Sequence, residues 1–345
     1  MRFKNVCLSA YAYALPPKNL TSQAIEDELS SVYQTLHIPK GRLEQLTGIR
    51  ERGVWAPDVA PSQIAAQAGQ NLLDQNSVDP KDIDLLIHTG VCRDYLEPAT
   101  ASVVHHLLGL SPHCQLFDLS NACVAFLNGL LVAGSMIEAG AIKKALIVTG
   151  ENSGPLYPSS IKALKANPSL DLYRKTLASL TLGSAGVAYL LEDRRIPSSL
   201  PRASLLGGCV LADSRAHDLC RGFYAPEGGG LRMETDTAAL MREGLSLSRA
   251  SWDVFQETLG WTRDTPDHVI THQISLAHQE KVFEVLELDP KKGYADIDFL
   301  GNTGSAAVPL SLIFRKEQGV LKSGDRIALL GIGSGLNTLM LGVEW

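Results

Sequence analysis

Cys123 has the setting that most favours chemistry. A short apolar strand is predicted to end near Leu119, a turn of Ser120-Asn121-Ala122 follows, and a helical pattern begins at or just after Cys123. A thiol at a helix N-terminus meets the positive end of the helix dipole and N–H groups without intrahelical partners. Both favour thiolate and lower its pKa, and the same N–H groups can hold an oxyanion. The plain alternative is a small buried hydrophobe. His272 ends another predicted strand, at the carboxyl end where open α/β sheets bind ligands. It is one of nine histidines, and a packed histidine is the competing reading. Asn302 lies in Gly301-Asn302-Thr303-Gly304, just before a helical pattern, where Asn and Gly also serve as turn and cap residues. Together, Cys, His and Asn can activate a thiolate and hold a thioester carbonyl. Glu97 follows in Arg93-Asp94-Tyr95-Leu96-Glu97-Pro98-Ala99-Thr100. Such a glutamate is ordinarily a surface carboxylate; buried, it could act as a base.

These residues need a sheet to position them. Asp84–His88, Gln115–Leu119 and Ala145–Val148 read as short buried strands, and Val124–Ala139 between the last two is long enough for a helix. Strand, helix, strand at these lengths predicts a βαβ unit in a mostly parallel sheet. The second half echoes the first. Asp267–His272 resembles Asp84–Thr89, Ala306–Gln318 is helical, and Gly319–Gly331 resembles Gly140–Gly150. Such a long-period repeat points to a duplicated α/β fold, although generic α/β chains also look self-similar. The division expected is 1–195, carrying the cysteine, and 196–345, carrying His272 and Asn302, with the polar, proline-containing stretch Glu192–Pro201 as the joint. Glu151–Thr181, with three prolines and many serines, reads as an insertion over the sheet, a cap or dimer-contact segment. Ala225–Arg232, with three consecutive glycines, reads as a mobile loop. Gly331-Ile332-Gly333-Ser334-Gly335 is only loosely a GxGxxG, and no phosphate-cradling helix or suitably placed acid follows it. Backbone packed beside a reacting group explains its glycines better.

Composition excludes several classes. The 345 residues are 45% hydrophobic and 20% charged, a globular mix, which rules out a disordered, coiled-coil or collagen-like chain. The net charge is −6 with no basic stripe, against a nucleic-acid partner. Six cysteines without a CxxC pair argue against a zinc or redox motif and suggest reduced thiols in the cytoplasm. No metal site is expected. The apolar opening is broken by Asn5 and Ser9 and followed by Pro16-Pro17, so it reads as a strand rather than a signal peptide. The longest apolar stretch, Val124–Met136, falls short of the roughly 18 residues of a transmembrane span.

The motifs, taken in order, resemble the thiolase-fold condensing enzymes of the ketoacyl-ACP synthase III type. They are Thr47-Gly48-Ile49-Arg50-Glu51-Arg52, Asp118–Cys123, His272-Gln273, Gly301-Asn302-Thr303 and the closing GIGSG, so the resemblance spans nearly the whole chain. Within that superfamily, Arg93–Pro98, Asn121-Ala122-Cys123, Leu219-Cys220-Arg221-Gly222 and Gly324–Asn337 are most similar to the OleA family, which condenses acyl-CoA molecules head to head in long-chain olefin biosynthesis. The resemblance implies duplicated βαβαβ halves in a five-layer αβαβα arrangement, and a homodimer. It implies Cys123 as nucleophile and acyl carrier, His272 and Asn302 as hydrogen-bond donors to the enolate or carbonyl, and Glu97 as the base, reaching the partner subunit's site. Backbone N–H groups of Cys123 and Ser334 would form the oxyanion hole. It further implies two long-chain acyl-CoA substrates, no cofactor beyond coenzyme A thioesters, and downstream olefin-pathway enzymes as possible partners. In one respect the chain departs from fatty-acid initiating enzymes, which carry Trp and Arg ahead of TGIRER to clamp the CoA adenine. Here Arg42 and Leu46 stand there, which weakens the initiating-synthase reading. The alternatives are a decarboxylative ketoacyl-ACP synthase III joining acyl-CoA to malonyl-ACP, an HMG-CoA synthase-like enzyme, and a non-catalytic partner subunit. Retention of Cys123, His272 and Asn302 argues against the last.

Overall fold

Asp84 and Asp267 do the same work in the two halves of the chain. The Asp84 N–H donates to Lys144 O (3.0 Å) while its carboxylate accepts the N–H of Lys143 and Lys144; the Asp267 N–H donates to Arg326 O (2.7 Å) while its carboxylate accepts the Arg326 N–H. Each aspartate sets the register of the parallel strand pair that follows it. The computed structural model describes residues 1–226 and 230–345.

In chain order the first half comprises β1 (Val6–Ala14), β2 (Lys18–Thr21), α1 (Ser22–Glu28), α2 (Ser30–Thr35), α3 (Arg42–Thr47), β3 (Glu51–Val54), α4 (Pro61–Asn76), β4 (Leu85–Thr89), α5 (Thr100–Leu107), β5 (Gln115–Leu119), α6 (Ala125–Glu138), β6 (Lys144–Glu151), α7 (Leu156–Ala166), α8 (Leu170–Thr176) and β7 (Ala185–Asp193). The second comprises β8 (Ala203–Ala212), β9 (Cys220–Tyr224), β10 (Leu231–Thr235), α9 (Thr237–Leu259), β11 (His268–Thr271), α10 (Leu276–Val285), α11 (Ile297–Leu300), α12 (Ala307–Glu317), β12 (Arg326–Gly333) and β13 (Asn337–Glu344).

The sheet order is β11-β12-β13-β8-β1-β7-β6-β4-β5. Read outward from the middle, β8, β13, β12 and β11 repeat β1, β7, β6 and β4, and the two half-sheets meet where Cys7 and Leu8 of β1 pair antiparallel with Ser204 and Ala203 of β8. Strand side chains alternate between faces, and here both faces are buried, which is why the strands are continuous apolar runs. Leu85, Ile87, Ala145, Ile147, Ile327 and Leu329 point into a central core with α6 and α12. Leu86, Leu146 and Val148 face an outer core with α4 and α5, and Ala328 and Leu330 face the opposite outer core with α9 and α10. Helix, sheet, helix, sheet, helix is the five-layer arrangement of the thiolase fold.

The inserted segment does not pack by itself. Tyr157, Ile161, Leu164, Tyr173 and Leu180 form a separate core with Ile25, Leu29, Val32, Tyr33 and Leu43 of α1–α3, so the segment is one part of a two-part module. Its apolar residues find partners more than a hundred residues upstream, which composition does not reveal. In the expected loop Ala225–Arg232, Leu231 and Arg232 belong to β10, which pairs antiparallel with β9; residues 227–229 lie outside the described residues.

Candidate active site

Cys123 stands on a tight elbow between β5 and α6. Asn121 and Cys123 form an isolated bridge, and Ala122 between them adopts φ +47°, a conformation costly for a residue with a Cβ. Helix α6 begins two residues later, so Cys123 lies just outside its first turn. Burial pushes its thiol up to about 12; Cys220 and Glu151 push the same way, and its own backbone N–H opposes them only in part. The direction is opposite to the lowered pKa expected from the helix terminus. Removing water from the thiolate raises the pKa.

The closing glycine run packs on this elbow. A Cβ on Gly333 would stand 3.3 Å from the N atoms of both Cys123 and Val124, so the absence of a side chain eases the close approach of this strand end to the elbow. A chain of asparagines fixes that approach. Asn337 Nδ2 donates to Asn121 Oδ1 (3.1 Å) and to Ser334 O (3.3 Å), and Asn121 Nδ2 donates to Asn128 Oδ1 (2.7 Å). Nothing in single-residue statistics distinguishes these asparagines from turn formers.

His272 follows β11, and its N–H donates to Leu330 O (2.8 Å) on β12. Cys123 and His272 thus flank one short segment, Leu330–Gly333. His272 is 2% exposed, and burial pulls its pKa down to about 3, with nearby His278 adding to the fall. Burial likewise lowers His278 to about 4. The imidazole of His272 is therefore neutral near pH 7, and its Nδ1 has no partner among the described residues. A neutral imidazole donates one N–H and accepts at the other nitrogen.

Asn302 is held by the end of the inserted segment. Its N–H donates to Thr181 O (2.9 Å), and its carbonyl accepts the Gly183 N–H (2.8 Å). The side-chain Oδ1 accepts the Gly304 N–H (3.0 Å), which leaves Nδ2 as the donating end of the amide. A buried network joins Asn302 to His272. Gln273 Oε1 accepts the N–H groups of Asp296 and Ile297 at the start of α11 (3.0 Å each), and Gln273 Nε2 donates to Tyr294 O (3.2 Å) and Ser311 Oγ (3.3 Å). Ser311 Oγ donates to Asp296 Oδ2 (2.7 Å), and burial pushes the Asp296 carboxyl up to about 7. Helix α11 leads directly into Gly301-Asn302.

Glu97 lies elsewhere, exposed on the loop between β4 and α5, beside Leu96 at 95% exposure. Its own chain gives it no apolar pocket and does not bring it to Cys123. A cavity of about 790 Å³ opens at the seam beside Tyr11, Tyr13, Arg202 and Trp345, but none of the four candidate residues lines it. The void against His272, bounded by Thr271, His278, Leu330 and Ile332, holds only about 10 Å³. A thiol, a neutral imidazole and an amide donor are the groups that suit acyl transfer through a thioester. Among the described residues no cluster of metal-ligating side chains occurs.

Residues 256–345 match the family model described as 3-oxoacyl-[acyl-carrier-protein] synthase III C terminal, and residues 117–156 match the companion 3-oxoacyl-[acyl-carrier-protein] synthase III model. The chain is 38% identical to an acyl-CoA:acyl-CoA alkyltransferase of Xanthomonas campestris and 34% identical to one of Shewanella oneidensis, each match covering 100% of both chains. It also superposes on a solved structure, a cysteine-to-serine variant of Xanthomonas campestris OleA with bound lauric acid and lauroyl-CoA. That match has a TM-score of 0.94 and 37% identity, over 99% of this chain and 100% of the other.

Proposed function

The chain belongs to the acyl-CoA:acyl-CoA alkyltransferase family, and on that premise we propose that it joins two long-chain acyl-CoA molecules by a non-decarboxylative Claisen condensation. The observation that supports the reading is that Cys123 and His272 both pack on the segment Leu330–Gly333 while Glu97 stands exposed on another loop. The full-length likeness to acyl-CoA:acyl-CoA alkyltransferases favours it over a decarboxylative synthase and over a non-catalytic subunit.

In the first half-reaction Cys123 attacks the first acyl-CoA. The N–H groups of Cys123 and Ser334 take the negative charge of the tetrahedral oxygen. The thiol rests protonated, so its proton passes to the departing CoA sulfur and the products are acyl-Cys123 and free CoA. In the second half-reaction Glu97 removes the α-proton of a second acyl-CoA. The His272 N–H and Asn302 Nδ2 donate to the enolate oxygen, and a neutral imidazole suits that role. The α-carbon attacks acyl-Cys123, the cysteine leaves, and a 2-alkyl-3-oxoacyl-CoA forms. Water then releases CoA and the 2-alkyl-3-oxoalkanoic acid. A malonyl donor generates its carbanion by losing CO₂; two plain acyl chains need a base, and this is the physical reason for a glutamate.

The outward setting of Glu97 beside Val91, Tyr95 and Leu96, at 52%, 58% and 95% exposure, supports the reading that the base works across a homodimer interface. The working unit is two copies of this chain, each divided near 195. Coenzyme A thioesters are the only cofactor-like molecules required. No helix among the described residues is long and apolar enough to cross a membrane. Glu97→Gln tests the assignment: Cys123 still takes the acyl group from acyl-CoA, and condensation falls by two or more orders of magnitude, in the range of a lost general base. Condensation at the wild-type rate in that variant removes Glu97 from the mechanism.

A further inference from the structure

Glu151 ends β6 at 5% exposure, and no step of the reaction uses it. Its carboxylate accepts the backbone N–H of Val91 (3.1 Å) and Cys92 (3.3 Å) and both the N–H (3.3 Å) and the Oγ (2.6 Å) of Ser305. The first two donors begin the loop that ends at Glu97. The other two belong to the turn that carries Asn302. A glycine on each side makes room: a Cβ on Gly90, at φ +143°, would stand 3.0 Å from Glu151 Oε1, and one on Gly304, at φ +60°, 3.3 Å. The hydroxyls of Thr149 and Ser305 lie 2.9 Å apart and close the bracket from the strand side.

The loop is held again beyond Cys92. Asp94 Oδ1 accepts the Ser62 N–H (2.9 Å), the Asp94 N–H donates to Thr100 Oγ1 (3.2 Å), and the Asp118 carboxylate accepts the N–H groups of Thr100 and Ala101 (2.8 Å each). A loop anchored at its entry and exit presents its tip in one place.

We propose that Glu151 is a positioning residue shared by two active sites: one arm holds the Asn302 turn of its own subunit, and the other holds the loop that delivers Glu97 to the partner subunit. The proposal rests on the reading that Glu97 acts across the dimer. In Glu151→Gln one oxygen becomes an NH₂ that faces donors, so the bracket loosens on both sides. Displacement of a reacting group by about 1 Å can lower a rate about a hundredfold.

Mixed dimers separate the two arms. A donor subunit carries Cys123→Ala, and an acceptor subunit carries Glu97→Gln. The one complete site then contains the acceptor's Cys123 and the donor's Glu97. Glu151→Gln on the donor is expected to lower condensation at least about tenfold while acylation of the acceptor's Cys123 keeps its rate. The same change on the acceptor is expected to lower condensation by a similar factor. Unchanged condensation with the substitution on the donor overturns the shared role and leaves at most a local one. A mixed dimer that is inactive with Glu151 intact overturns the trans action of Glu97, and the coupling with it, so the two failures are distinct. Should Glu151→Gln not fold, as judged by thermal melting, Glu151→Asp keeps the charge on a shorter arm and is read in the same two placements.

Discussion

Asp296→Asn isolates the network that joins His272 to Asn302. The Asp296 carboxyl is 3% exposed and pushed up to about 7 from an ordinary value of 3.8. The folded protein therefore keeps the proton in a range where the unfolded chain has released it. Stability contributed by this group is present at low pH and is lost as pH rises from about 4 through about 7. Each unit of separation is worth about 1.4 kcal/mol, so wild type loses about 3 kcal/mol through this group between pH 5 and pH 8. Asparagine is isosteric and does not titrate. Whatever fixed cost the substitution carries, the difference in unfolding free energy between variant and wild type moves by about 3 kcal/mol in the variant's favour over that interval. Contributions from all other groups cancel in the difference. Urea or guanidinium titrations of both proteins at pH 5, 6, 7 and 8 measure it. A difference that stays constant across pH refutes the assignment of a buried, proton-holding carboxyl at Asp296.

Three further outcomes follow from the same geometry. His272 and His278, held at about 3 and 4 by burial, destabilise the fold as pH drops below their unfolded value of 6.5. Each removes about 2 kcal/mol at pH 5, and His278→Leu flattens the acid limb of the denaturant midpoint by about that amount. Asn337→Leu releases Ser334 from the cysteine elbow, so single-turnover acylation of Cys123 slows about tenfold. Gly304→Ala places a Cβ against the Glu151 carboxylate at φ +60°, and the denaturant midpoint reports a loss of about 1–2 kcal/mol.

The neighbourhood of Cys123 was legible because each part is local. Gln115–Leu119, the Ser120–Ala122 turn and the start of α6 lie within a few residues of one another, and the strands recur because both faces of each are buried. The repeat was legible for the same reason, since Asp84 and Asp267 precede equivalent strands. What escaped depends on partners distant along the chain. A glutamate after an apolar strand reads as a surface residue, and only the fold sets Val91 and Ser305 against Glu151. Helices α1–α3 are short, and their apolar residues make sense only against α7 and α8. The thiol's raised pKa was missed because dipole arguments use neighbours in sequence, whereas burial sums over the whole fold.

In the proposed reaction two plain acyl chains are joined without a malonyl partner. Mass spectrometry of the purified protein mixed with myristoyl-CoA alone tests it most directly. Head-to-head condensation gives acyl mass on Cys123 together with the coupled β-keto acid or its ketone breakdown product. Acyl-Cys123 that accumulates without coupled product, and reacts only when malonyl-ACP is added with release of CO₂, contradicts it.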